Sequence, residues 1–139
     1  MAKSAQQFYH DLSYYTLSLG DKFFIHQLIV DTFAAQNYNA KTKPITITFA
    51  LVGLYLVNEK SYTGRQVQLA HIALARKTKI WPSFDEPIEK ARLTIEDIAK
   101  TPDTDKQNMI KEWSRQVWDT YKPQKEKVAK LLKKYLDIE

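Results

Sequence analysis

The chain has 139 residues, of which 44% are hydrophobic, a size and composition typical of a single domain with a buried core. Cysteine is absent, which excludes disulfides, thiolate zinc sites and cysteine nucleophiles. The formal net charge is +5, but the basic residues, mostly lysine, are scattered among acidic ones, so nucleic acid is an unlikely ligand.

Two helices are predicted before the first proline. Apolar residues recur at steps of three and four over residues 4–19, and Gly20 would end this first helix. Asp21 can then cap a second helix that continues to about Asn37. The broad apolar face of the second helix is formed by Phe24, Ile25, Leu28, Ile29, Thr32 and Phe33.

The third and fourth helices are predicted over residues 44–59 and 64–77. Pro44 suits a first helical turn, and the third helix is apolar on every side, so we expect it at the centre of a bundle. Gly53 within it would allow a close helix crossing. Thr63 and Gln66 form a capping box that starts the fourth helix.

Three helices are predicted in the last third of the chain. After an aromatic loop over residues 80–91, Leu93-Thr94 begins a short helix to about Lys100. A helix after Pro102 places an apolar stripe inward, from which Trp118 points away. The stripe consists of Ile110, Trp113, Val117 and Tyr121. Pro123 is expected to open the last helix, which turns Val128, Leu131, Leu132 and Tyr135 inward.

These elements predict an all-α protein: one domain over residues 1–139, a bundle of about six helices around a central apolar helix. No stretch reaches the roughly 20 apolar residues of a membrane span, and the N-terminus lacks the apolar core of a signal peptide. We therefore expect a cytoplasmic protein without a transmembrane segment. Lysines on the outer face of the last helix are typical of a solvated surface.

Polar residues on apolar helix faces are the candidate site, because burying an unpaired polar group costs roughly 1 to 3 kcal/mol. Gln36 follows the centre of the apolar face of the second helix, with His26 and Asp31 at its two edges. His71 occupies a position in the fourth helix where the spacing favours leucine.

Arg65 lies at the start of the fourth helix, where free backbone N–H groups favour an anion. With Tyr55 of the central helix, these residues define a hypothetical polar ligand pocket between helices two, three and four. The alternative is that each group only hydrogen-bonds a loop or a helix end. The sequence identifies no cofactor, and no metal motif occurs around His10, His26 or His71.

Three functions remain open. The first is a binding or interaction module for a small polar ligand or a protein partner. The second is a metal-assisted or acid–base hydrolase using His26, His71 and Asp31. The third is DNA binding, because Arg65 opens a helix that follows a short link, as in a helix-turn-helix. The sequence leaves the oligomeric state undetermined.

Several segments resemble a bacterial family of uncharacterised proteins. They are His26-Gln-Leu-Ile-Val-Asp-Thr-Phe-Ala-Ala-Gln36, Phe49-Ala-Leu-Val-Gly-Leu-Tyr-Leu56, Thr63-Gly-Arg-Gln-Val-Gln68, Trp81-Pro82 with Phe84, Leu93-Thr94-Ile95, and the pair Trp113 and Trp118. The resemblance implies no activity. The chain carries Asn37 where relatives often have histidine, and it lacks the cysteine-bearing N-terminal extension that some relatives have. Both departures weaken a metal interpretation.

Overall fold

The computed structural model describes residues 3–18 and 25–139, and all regular elements within these ranges are helical. Six helices of 12 or more residues and one short helix follow one another. They are α1 (Ala5–Ser18), α2 (Ile25–Gln36), α3 (Pro44–Lys60), α4 (Gly64–Lys77), α5 (Ile95–Ala99), α6 (Asp103–Tyr121) and α7 (Lys125–Leu136). The prediction of an all-α bundle is confirmed. The predicted roles of Leu19, Gly20, Asp21 and Phe24 concern positions outside the described residues.

The central helix is α3, as its uniformly apolar sequence predicts. It packs against α2, α4, α6 and α7, and the residues between Ile47 and Leu56 are buried with one half-buried exception, Phe49. A helix surrounded on all sides cannot carry a polar face, which explains why α3 lacks the amphipathic pattern of its neighbours. Pro44 occupies its first turn.

The two predicted N-terminal caps, at Thr63 and Thr94, are present. Thr63 Oγ1 accepts a hydrogen bond from the backbone N–H of Gln66 (3.2 Å), and Gln66 Oε1 accepts from the N–H of Thr63 (2.8 Å). Thr94 and Asp97 form the same reciprocal arrangement at the start of α5. Pro123 lies instead in a 3-10 turn, Lys122–Gln124, and α7 begins just after it.

Helix α6 buries a wider face than its stripe predicts. The four stripe residues are at most 1% exposed, but Trp118 is also only 1% exposed. The expectation that Trp118 points away from the core is therefore wrong. Because α6 packs against both α2 and α3, it buries two adjacent faces. Trp118 lies edge-on to Tyr55 and donates to Glu59 Oε2 (3.1 Å).

Among the described residues, no helix combines the length and the apolar character that crossing a membrane would require.

Candidate functional site

A cavity of about 560 Å³ lies where α2, the end of α3, the start of α4 and α6 meet. This volume is within the range of small-molecule sites, roughly 300 to 1,000 Å³. The residues that line the cavity are Ile25, Gln27, Leu28, Asp31, Val57, Ser61, Tyr62, Thr63, Gly64, Val67, Gln107 and Lys111. Most of the apolar wall comes from α2, α3 and α4, and α6 contributes polar side chains.

Asp31 is the buried polar group of this cavity. The residue is only 4% exposed, because its position on α2 faces α3. Its Oδ1 accepts a hydrogen bond from Gln27 Nε2, one turn earlier (3.1 Å). Its Oδ2 has no hydrogen-bond donor among the described residues, and the carboxyl makes no ion pair with them. Burial raises the pKa of Asp31 well above its usual range, and the bond from Gln27 opposes this rise.

Gly53 of α3 provides the space that Asp31 occupies. A Cβ atom at Gly53 would lie 1.9 Å from Asp31 Oδ2 and 2.6 Å from Asp31 Cγ. Both distances are far below the roughly 3.5 Å of ordinary contact between heavy atoms. A glycine in the middle of a helix is otherwise unfavourable by roughly 0.5 to 1 kcal/mol relative to alanine. The carboxyl therefore depends on this one residue for its position.

The link between α3 and α4 forms another wall. Ser61 ends α3 in the left-handed region, with φ 58°, and turns the chain sharply towards α4. Tyr62, which is half-buried, and Thr63, the N-cap, follow directly. Gln107 and Lys111 of α6 are exposed residues on the opposite side. The cavity thus combines a buried acid with polar groups that reach solvent.

Of the six predicted site residues, Asp31 is the one that lines this cavity. Gln36 lies elsewhere on α2, where its amide donates to the carbonyl of Leu93 (2.8 Å) and accepts from Trp113 Nε1 (2.9 Å). These two bonds fix the loop before α5 to α6. Gln36 also borders a separate, very small cavity.

The two histidines face different neighbours. His26 Nδ1 lies 3.2 Å from Thr16 Oγ1 of α1. His71 is half-buried, stacks on the Phe49 ring and donates through Nε2 to the carbonyl of Phe49 (2.8 Å). Burial lowers the pKa of His71, and the bond to Phe49 opposes the change. The described contacts therefore do not bring the two imidazoles to one polar centre.

Tyr55 and Arg65 also lie outside the wall of the cavity. Tyr55 is buried in α3 with its ring edge-on to Trp118. Arg65 is exposed in the first turn of α4. No group of three or more His, Asp or Glu side chains suited to holding a metal occurs within residues 3–18 and 25–139.

Sequence reasoning missed most of the cavity wall, including Gln27, Tyr62 and Lys111. One available signal was Tyr62, an aromatic residue in the three-residue link between α3 and α4. No local signal identifies Lys111, because only the packing of α6 against α2 places it there.

The comparisons with known proteins describe this chain only by its family. No curated protein and no solved structure matches it. A family described as "Family of unknown function (DUF5946)" matches residues 3–122, which include the whole wall of the cavity and exclude α7. The chain belongs to this family of unknown function.

Proposed function

We propose that this protein is a cytoplasmic binding module that holds a small organic ligand in the cavity beside Asp31. The observation that carries the proposal is the Asp31 carboxyl, which is almost fully buried and has one oxygen without a donor among the described residues. Oδ2 is not one of the fully enclosed side-chain atoms that lack a partner, so this oxygen is accessible from the cavity. A ligand that donates to Asp31 Oδ2 would give the carboxyl a second hydrogen bond.

The rest of the cavity suits the body of such a ligand. Leu28, Val57 and Val67 offer apolar contact, and Tyr62 adds an aromatic ring with a polar end. Ligand sites usually combine a mostly apolar wall with a few polar groups that fix orientation. The location between α2, α3 and α4 is where the sequence predicts a pocket, although the wall differs from the predicted residues.

The observed contacts favour binding over the two alternatives. A hydrolase would need His26, His71 and Asp31 to converge, whereas the two histidines contact α1 and α3 respectively. DNA binding through α4 would need polar residues on its outer face. Arg65, Gln66 and Arg76 are exposed on α4, but the exposed residues between them are the apolar Leu69 and Ile72, which are 49% and 48% exposed.

A fragment screen by protein-observed NMR tests the proposal. We expect binders whose shifted backbone amides cluster around Leu28, Asp31, Tyr62 and Val67. Val57→Phe should abolish these shifts, because the added ring would occupy the cavity.

Ile72→Phe is the matched control, since Ile72 is exposed on α4 and does not line the cavity. The control variant should bind as the wild type does. Shifts that cluster elsewhere, or that survive Val57→Phe in a folded protein, would refute the proposal.

A further inference from the structure

We propose that the ligand of this cavity is an organic amine, whose protonated nitrogen donates to Asp31 Oδ2 while its apolar body lies against the wall. This inference rests on the proposed function and specifies the ligand's chemical class.

The first argument is the missing counter-charge. Asp31 makes no ion pair within the described part of the chain, and its only hydrogen-bond donor there is the neutral amide of Gln27. A protonated amine would supply both a positive charge and donors. Hydrogen bonds between ionised groups are roughly twice as strong as those between neutral groups.

The second argument concerns the shape of the space at Oδ2. Gly53 allows this oxygen to lie directly against the backbone of α3, so the carboxyl cannot turn far within the helix interface. A ligand must therefore approach from the cavity side. A small ammonium group at the end of an apolar body suits a confined acid of this kind.

Lys111 is the cation of the cavity wall, and it does not neutralise Asp31. Among the described contacts there is no ion pair between Lys111 and Asp31, and burial, opposed by Gln27, raises the pKa of Asp31. The lysine is exposed, so water and salt screen its charge. A carboxylate ligand, in contrast, would place a second negative charge beside Asp31 whenever this acid is ionised.

The test compares three probes that share one ring and chain: 2-phenylethylamine, 2-phenylethanol and phenylacetate. Titration of the full chain, followed by NMR, should give the tightest binding for the amine. The alcohol should bind roughly tenfold more weakly, because it brings no positive charge to the carboxylate and can donate only one hydrogen bond. Phenylacetate should not saturate the site.

Asp31→Asn keeps the size of the side chain and removes its charge. It should weaken amine binding roughly tenfold or more, while alcohol binding stays within about threefold. Asp85→Asn is the matched control, because Asp85 is exposed and does not line the cavity. It should leave binding of all three probes unchanged.

A pH series on the wild type keeps the inference testable if Asp31→Asn does not fold. Between about pH 5 and 8 the probe amine remains protonated, so tighter binding with rising pH would report ionisation of the protein acid. The other titratable groups facing Asp31 are Tyr9 of α1, Tyr62 of the link and Lys111 of α6. Tyrosine and lysine ordinarily titrate above this range.

Equal or tighter binding of phenylacetate or the alcohol at this cavity would overturn the amine inference and leave the proposed function standing. An affinity for the amine that changes neither with Asp31→Asn nor with pH would also overturn the amine inference. If no probe binds, and Val57→Phe changes nothing in the fragment screen, the proposed function fails as well.

Discussion

Replacing Gly53 by alanine is a direct test of how Asp31 is held. The new Cβ would lie 1.9 Å from Asp31 Oδ2 and 2.6 Å from Cγ, and Asp31 is too buried to move into solvent. Overpacking of this kind costs about 3 kcal/mol at the upper end of its usual range. Alanine is more favourable than glycine inside a helix by up to about 1 kcal/mol, which offsets part of this cost. We therefore expect Gly53→Ala to lower the free energy of unfolding by about 2 kcal/mol.

Asp31→Ala should remove this penalty. Without Cγ and the oxygens, the nearest Asp31 atom to the new methyl group is Cβ, at 3.3 Å, a tight contact that a small shift of α2 relieves. In this background Gly53→Ala should be neutral or stabilising by up to about 1 kcal/mol. The two substitutions should thus couple by about 2 to 3 kcal/mol, at the high end for contacting residues.

The assay is urea unfolding followed by far-UV circular dichroism on the four proteins of the cycle. Asp31→Asn serves as the control background, because it removes the charge and keeps the bulk, so Gly53→Ala should remain as damaging there. If the losses of stability in Gly53→Ala and Asp31→Ala add up to that of the double variant within about 0.5 kcal/mol, Asp31 does not lie over Gly53. A penalty that disappears with Asp31→Asn would show that the conflict is electrostatic and not steric.

Four further outcomes follow from the structure. Burial raises the pKa of Asp31, so its carboxyl holds a proton more tightly in the folded protein than in the unfolded chain. The free energy of unfolding should therefore fall as pH rises above about 4. Asp31→Asn should remove that decline, so its stability relative to wild type grows between about pH 4 and 8. Trp113→Ala should cost about 3 kcal/mol or more, since Trp113 is fully buried; a loss under about 1 kcal/mol would contradict its place in the core. His71→Leu should stay within about 1.5 kcal/mol of wild type. Below about pH 6.5 the His71→Leu variant should lose less stability than the wild type, because burial lowers the pKa of the folded imidazole in the wild type. Thr48→Val should raise the free energy of unfolding by about 1 kcal/mol, because the buried Oγ1 of Thr48 has no partner among the described residues. Each value comes from the same denaturant assay, repeated across pH where stated.

Helix boundaries were predictable because their causes are local. The capping box of Thr63 and Gln66 involves residues three apart, and the stripe that includes Trp113 follows from helical geometry alone. Trp118 was not predictable in this way. Its burial depends on α6 packing between two other helices, and the sequence of α6 does not specify how many neighbours it has.

The candidate polar residues show the same difference between local and distant causes. Gln36 and His71 were correctly recognised as polar groups on inward faces, but periodicity could not name their partners. Those partners are the Leu93 carbonyl, Trp113 and the Phe49 carbonyl, which lie between 22 and 77 positions away along the chain. Whether a buried polar group is satisfied by the fold or left open for a ligand depends on these distant contacts.

Asp31 and Gly53 show how a buried acid can be recognised from sequence. Each is unusual where it stands: an acid beside an apolar helix face, and a glycine inside an otherwise apolar helix. Considered separately, the acid suggests a surface position and the glycine a close helix crossing. Considered together, they describe one feature, since a glycine removes the Cβ that would exclude a buried side chain from a facing helix. The acid then enters the interface between α2 and α3, where most of its solvation is lost and Gln27 supplies a single donor. A protein under selection only for stability would fill this space with an alanine at Gly53 and an apolar residue at Asp31. The presence of both residues in this chain is consistent with the proposed role of the carboxyl in binding a ligand.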